Sequence, residues 1–243
     1  MRPRGGVRRK PAPDPGGGGV KEVDREAYLT RYGERYERFG YDPRTLGWGA
    51  GGRQELRFAA LAGIAGERRE GSVLDVGCGF ADLEPWLEQA GWRGSYTGVD
   101  IVPVLLEEAR RQRPGVEVHL CDVTSEDPPG GPFDYVFASG VFNARLEGEG
   151  NEDYLRAALA RLFSLARVGV AIDFMTTLVD FQHPGAWHTD PAWALREAQD
   201  LTRRVTLRHD YLPYEFCLYL YRDAEIEHSR YARSPGGARS PHE

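Results

Sequence analysis

The chain has 243 residues, 41% hydrophobic and 28% charged, enough for one large domain or two small ones with a substantial core. Its formal charge of −6 at pH 7 disfavours nucleic acid as a partner, since a broad nucleic-acid footprint needs a basic face. No apolar run approaches the ~20 residues of a membrane span, and the first residues lack the apolar core of a secretory signal, so a cytoplasmic protein with no membrane contact is expected. Cys78, Cys121 and Cys217 lie far apart with no metal-ligand spacing and read as buried thiols in a reducing compartment.

Residues 1–22 combine Arg2, Arg4, Arg8, Arg9 and Lys10 with Pro11, Pro13, Pro15 and four glycines from Gly16 to Gly19. That composition cannot bury enough apolar surface to pack, so a disordered tail is expected, with a basic arm touching an acidic partner as the alternative. Residues 229–243 have the same character, which leaves one domain over 23–228. From Val23 the chain turns helical, with Tyr28, Leu29, Tyr32, Tyr36 and Phe39 on one stripe. The glycine-rich loop from Gly40 to Gly52 carries Trp48 and is suited to act as a lid. A second helix, Gln54 to Ala65, presents Leu56, Leu61 and Ile64 as its buried side and carries Arg57.

Residues 72–82 read Ser-Val-Leu-Asp-Val-Gly-Cys-Gly-Phe-Ala-Asp: a short apolar strand broken by Asp75, then a turn at Gly77 and Gly79 into a helix from Ala81 to Ala90. Glycines let such a turn take positive φ and bring backbone amides close to a ligand. A dinucleotide site wants Gly or Ala at position 82, where this chain has Asp, and Asp75 puts negative charge where a pyrophosphate would sit. A ligand with an ammonium group suits it better. This segment resembles the first motif of the class I S-adenosylmethionine-dependent methyltransferases.

The following strands keep the spacing of that family. Ser95 to Asp100 is the second strand, ending in a carboxylate able to accept both hydrogen bonds of a ribose diol, each such charge-assisted bond contributing about 1.5–3 kcal/mol. Pro103 opens the next helix, with Leu105, Leu106 and Ala109 inward. Val116 to Cys121 is the third strand and Phe133 to Ala138 the fourth. The resemblance implies that Asp122 receives the adenine amino group and that Ser139-Gly140 lies beside the transferred methyl. It implies cofactor contacts from Asp75, Gly77, Cys78, Gly79, Asp100, Ile101, Asp122, Val123 and Ser139; Arg57, on the helix before the first strand, is the candidate cofactor-binding partner of the methionine carboxylate, with a solvated surface arginine as the alternative. Ser-Gly-Val-Phe-Asn at 139–143 lacks the proline of the enzymes that methylate base amines or glutamine, which disfavours those acceptors.

Asn151 to Arg167 is a strong helix with an acidic start, and Val168 to Phe174 the fifth strand. Met175 to Thr189 is irregular, with Phe181, His183, Trp187 and His188 suited to a substrate loop; no third ligand joins the two histidines, so no metal is expected. Asp190-Pro191 caps a last helix, Ala192 to Leu201. Val205 to His209, a turn at Asp210–Pro213, and Glu215 to Tyr221 make a hairpin like the antiparallel closing pair of the class I fold. The segments 138–143 and 208–216 together resemble a narrower group of bacterial methyltransferases.

The fold class expected is α/β: a Rossmann-like, seven-stranded, mostly parallel sheet with helices on both faces and a closing hairpin. The activity the resemblance implies is in-line methyl transfer from S-adenosylmethionine to N or O of a small-molecule acceptor. His209 is the candidate base and Asn143 the candidate acceptor-orienting side chain. The alternatives are a non-catalytic, cofactor-binding partner subunit and an RNA or protein methyltransferase that uses the basic arm.

Overall fold

In a computed structural model, residues 22–48, 53–146 and 150–223 are described. The expectations for the two tails and for the tip of the Gly40–Gly52 loop fall wholly or partly outside those residues. Seven strands form one sheet: β1 (Val73–Val76), β2 (Tyr96–Asp100), β3 (Val118–Leu120), β4 (Phe133–Ala138), β5 (Ala166–Met175), β6 (Val205–Leu212) and β7 (Glu215–Tyr221). Their order is β3-β2-β1-β4-β5-β7-β6. β1 to β5 run parallel, while β7 is antiparallel to both β5 and β6. The expected sheet is therefore present, closing hairpin included.

Among the described residues, six α-helices surround it: α1 (Glu22–Phe39), α2 (Gln54–Ala62), α3 (Leu83–Gln89), α4 (Pro103–Gln112), α5 (Asn151–Leu165) and α6 (Pro191–Leu201). All four residues of β1 are buried, because a central parallel strand is covered on both faces. Alternation along β4 divides the core. Val136 and Ala138 pack with Leu159 and Leu162 of α5 and Ala198 of α6, whereas Tyr135 and Phe137 face the side of Leu61 in α2 and Leu87 in α3. On the α1 stripe, Leu29, Tyr32 and Tyr36 pack against Phe80, Val102 and Leu105. No described helix is long and apolar enough to cross a membrane.

Several boundaries differ from expectation for local physical reasons. α5 stops at Leu165 and β5 begins at Ala166, because pairing with Phe133 of β4 claims the chain two residues earlier. Ala81 takes φ +58° in the glycine turn, so α3 begins at Leu83. The buried side of α2 is Arg57, Phe58 and Leu61; Leu56 is 47% exposed, and Ile64 lies in a 3₁₀ turn. β6 continues through an irregularity after Arg208 to Leu212, so the hairpin turn is Pro213-Tyr214 and not 210–213. Asp190 caps α6 as its sequence implies, its Oδ1 accepting the Ala192 N–H at 2.9 Å.

The strand order reverses between β1 and β4. In an open α/β sheet that switch opens a crevice beyond the carboxyl ends of the strands.

Candidate active site

That crevice is a cleft partly open to solvent, and its floor is the turn after β1. Gly77 (φ +66°) and Gly79 (φ +54°) both sit in the left-handed region. A Cβ on Gly77 would lie 2.5 Å from Val141 Cγ2 and one on Gly79 2.9 Å from Leu46, so any side chain here would be strained and crowded. The Cys78 N–H donates to the Val99 carbonyl at 3.0 Å, tying the turn to β2.

Three carboxylates from successive strands meet at this floor. Asp75 is 4% exposed; its Oδ2 accepts the Tyr96 hydroxyl at 2.7 Å, and burial pushes its pKa up to about 7. Asp100 ends β2 and holds the turn in shape: Oδ2 accepts the Gly79 N–H and Oδ1 the Val102 N–H, each at 2.9 Å. Burial raises its pKa, and these backbone donors oppose the rise. Each oxygen keeps a second lone pair for a ligand. Asp122, just beyond β3, accepts the Thr124 N–H at 3.0 Å. Ile101 and Val123 complete this side.

Among the described residues lining the cleft there is no Lys or Arg. Three buried acids without a cation are costly as charges, so the cleft is electrostatically suited to a cation and hostile to a pyrophosphate. Apolar walls beside the acids fit a ligand that is part nucleoside.

The opposite wall is aromatic. Tyr28 and Tyr32 of α1 stack with centroids 6.4 Å apart and planes within 3°, and burial raises both phenols. Trp48, Phe58, Phe142 and Tyr154 line the same space. Gly140 (φ +69°) makes room for Trp48: a Cβ there would come within 2.1 Å of the indole. The Arg57 guanidinium lies over the other part of this contact, 4.1 Å from the Trp48 ring centroid.

Behind Ser139 and Gly140 stands a group that the sequence did not disclose. Asp173 of β5, fully buried, accepts the Ser139 hydroxyl on Oδ2 at 2.8 Å and the Gly140 N–H on Oδ1 at 2.6 Å. Glu215 of β7 accepts Arg57 Nε at 2.6 Å and also Arg57 Nη2. The only trace of Asp173 in the sequence is one acid in an otherwise apolar strand, Val-Gly-Val-Ala-Ile-Asp-Phe at 168–174.

Three expected site residues lie elsewhere. Arg57 is neither a solvated surface residue nor free for a ligand carboxylate: it is 6% exposed and committed to Glu215. His209 sits on β6, the sheet edge three strands from β4; its ring touches Phe216 and Nε2 is 3.3 Å from the Pro213 carbonyl oxygen, so it has no reach into the cleft. Asn143 is structural, its Oδ1 accepting the Met175 N–H at 2.8 Å and its carbonyl the Trp187 N–H at 3.0 Å. His183 bonds locally to Gly185, while His188 is turned inward, with Nδ1 2.8 Å from the Thr176 carbonyl oxygen. All three cysteines are buried and free. Gln54 and Phe58 line the cleft without a sequence signal beyond helix periodicity.

Fold and site together define an open α/β domain with an acidic, cation-free cleft at the switch point of its sheet. Residues 73–169 match the family described as a methyltransferase domain. A Mycobacterium tuberculosis protein named as a methyltransferase, Rv1506c, is 30% identical over 158 residues, covering 60% of this chain and 90% of that one. The chain belongs to the class I S-adenosylmethionine-dependent methyltransferases, and it is an enzyme of that kind. Two solved structures share the fold. The magnesium protoporphyrin IX methyltransferase of Synechocystis, with S-adenosylhomocysteine bound, superposes with a TM-score of 0.62 at 20% identity over 84% of this chain and 100% of its own. The 1,6-didemethyltoxoflavin N1-methyltransferase of Burkholderia thailandensis superposes with a TM-score of 0.54 at 19% identity over 83% and 91%.

Proposed function

We propose that the enzyme methylates N or O of a small or medium-sized acceptor, and that this acceptor lies between the Ser139–Phe142 wall and the aromatic cover. In this reading Asp75 faces the cofactor ammonium across the Gly77-Cys78-Gly79 turn. Asp100 with Ile101 takes the ribose, Asp122 with Val123 the adenine, and Ser139 stands near the methyl. When bound, the cofactor supplies an electrophilic methyl on a good leaving group, so what the chain must add is placement, with reacting atoms ~3–3.5 Å apart and in line. Tyr28, Trp48, Phe142 and Tyr154 can grip a flat or apolar acceptor and exclude water.

The observation that carries the reading is the division of one cleft into an acidic, cation-free floor and an aromatic wall that meet at Ser139-Gly140. The names of the two structural neighbours, each a methyltransferase of a small molecule, support the acceptor class. Three unpaired buried thiols support a cytosolic setting. The test is transfer of a labelled methyl group from S-adenosylmethionine into fractionated cell extract. Label in the low-molecular-weight fraction is expected; label confined to protein or RNA would contradict the small-acceptor reading.

A further inference from the structure

Methylating a hydroxyl or amine leaves one proton over, and the cleft must dispose of it. Among the described residues that line it there is no histidine, and the acids on its floor sit on the cofactor side. One lining hydroxyl leads out of the cleft into the protein. Ser139 is half-buried at the end of β4, and its Oγ–H points to Asp173 Oδ2 at 2.8 Å.

We propose that Ser139 and Asp173 form the proton exit of the transfer site, Ser139 as the catalytic hydroxyl that touches the acceptor and Asp173 as the positioning and proton-receiving group behind it. As the acceptor X–H becomes X–CH₃, the methyl carbon's bond to sulfur breaks with its electron pair left on sulfur. The X–H proton passes to Ser139 Oγ, and Ser139's own proton passes to Asp173 Oδ2. Asp173 ends neutral, the sulfonium charge is lost, and the proton later leaves by the reverse path once product has gone. The inference rests on the N- or O-acceptor reading above.

The charges around Asp173 fit this duty. Arg57 of α2 gives two of its nitrogens to the two oxygens of Glu215, so Asp173 has no cation of its own. The buried set Asp173, Glu215 and Arg57 thus carries one net negative charge when all are ionised. Asp173 pairs with Cys217 across β5–β7, and Glu215 sits two residues from Cys217 on the same face, so the two carboxylates are diagonal neighbours. Burial first, then the Glu215 charge, pushes Asp173 up to about 7, opposed by Arg57 and by the Ser139 and Gly140 donors. Cys217 is held neutral by burial and by Asp173, and the Tyr211 hydroxyl of β6, buried with no hydrogen-bond partner, is raised by burial and the same charges. A carboxylate poised near neutrality suits a group that takes a proton during turnover and gives it back.

A clamp that only shaped the end of β4 would behave differently. It would need an acceptor for the Gly140 N–H and a partner for the Ser139 hydroxyl, which an amide supplies with its oxygen and its NH₂, and its loss would affect every acceptor alike.

The test uses the full chain with Ser139→Ala and Asp173→Asn. Labelled-methyl transfer from S-adenosylmethionine is measured for 4-nitrophenol, which is ionised at about pH 8, and for 4-methylphenol, which stays neutral there. Expected is a loss of about 10²-fold or more in both variants on the neutral phenol, with a much smaller loss on the ionised one. Cofactor affinity by calorimetry should stay within about threefold. Equal losses on both phenols, or none, would overturn the relay. If the wild type methylates neither phenol, the fault lies with the acceptor class, and the relay is judged by ¹³C-carboxyl NMR. The resonance that Asp173→Asn removes must titrate near neutral pH and shift in Ser139→Ala; a signal ionised throughout about pH 5–9, or indifferent to Ser139, would overturn it.

Discussion

Asp75 and Asp173 are both buried carboxylates, Asp173 lying two residues further along the parallel strands, and burial pushes both to about 7, yet they are held in different ways. Asp75 has one protein donor, the Tyr96 hydroxyl, and lines the cleft directly. Asp173 has two donors, from Ser139 and Gly140, and reaches the cleft only through them. The first is left open for a ligand; the second is closed off by the protein and belongs to the wall. In the proposed reading, the cofactor side and the acceptor side of one cleft are thus built from the same residue type in opposite states of satisfaction.

The comparison can be broken most severely at the acceptor side. Glu215→Ala strands the buried Arg57 guanidinium, and removing one partner of a buried pair costs about 3–5 kcal/mol. For a domain of this size that lowers Tm by on the order of 10 °C. Thermal melts check it, and an unchanged Tm would mean that Arg57 finds another partner or solvent.

On the cofactor side the effect is on binding. Asp75→Ala should weaken S-adenosylmethionine by about tenfold or more in calorimetry, the scale of one charge-assisted interaction. Asp173→Asn should leave that affinity within about threefold. If both variants lost affinity equally, the two halves of the cleft would not be separate in function.

The two acids also set a pH dependence. A carboxyl raised from 3.8 to about 7 binds more protons in the folded state, so its stabilising contribution is complete below 3.8 and is lost as pH rises toward 7. Asp173→Asn removes one such group, so its Tm relative to wild type should improve between about pH 5 and pH 8 by a few degrees. A difference in Tm that is flat across that range would show that Asp173 is ionised in the fold throughout.

The two halves were unequally legible for the same reason that they differ. Asp75, Gly77, Gly79, Asp100 and Asp122 each stand at the end of a strand with a local signature, and the β-α-β spacing fixes where those ends meet. The Arg57–Glu215 pair joins residues 158 positions apart, and nothing local marks either partner. His209 was misleading because alternation places it on the first strand of the closing hairpin but cannot say where that strand lies in the sheet; the irregularity after Arg208 and the edge position of β6 carry it away from the cleft. His209→Ala should therefore change methyl-transfer rates by less than about twofold, the smallest effect expected here, and a tenfold fall would put its imidazole at the reacting atoms.

The central claim is that the strand-end acids hold an adenosyl cation. Calorimetric titration of wild type and Asp100→Ala with S-adenosylmethionine tests it most directly: saturable one-to-one binding by the wild type, weakened by about tenfold or more in the variant, is expected. Equal affinity in the two proteins, or a wild type that binds NAD and not S-adenosylmethionine, would contradict it.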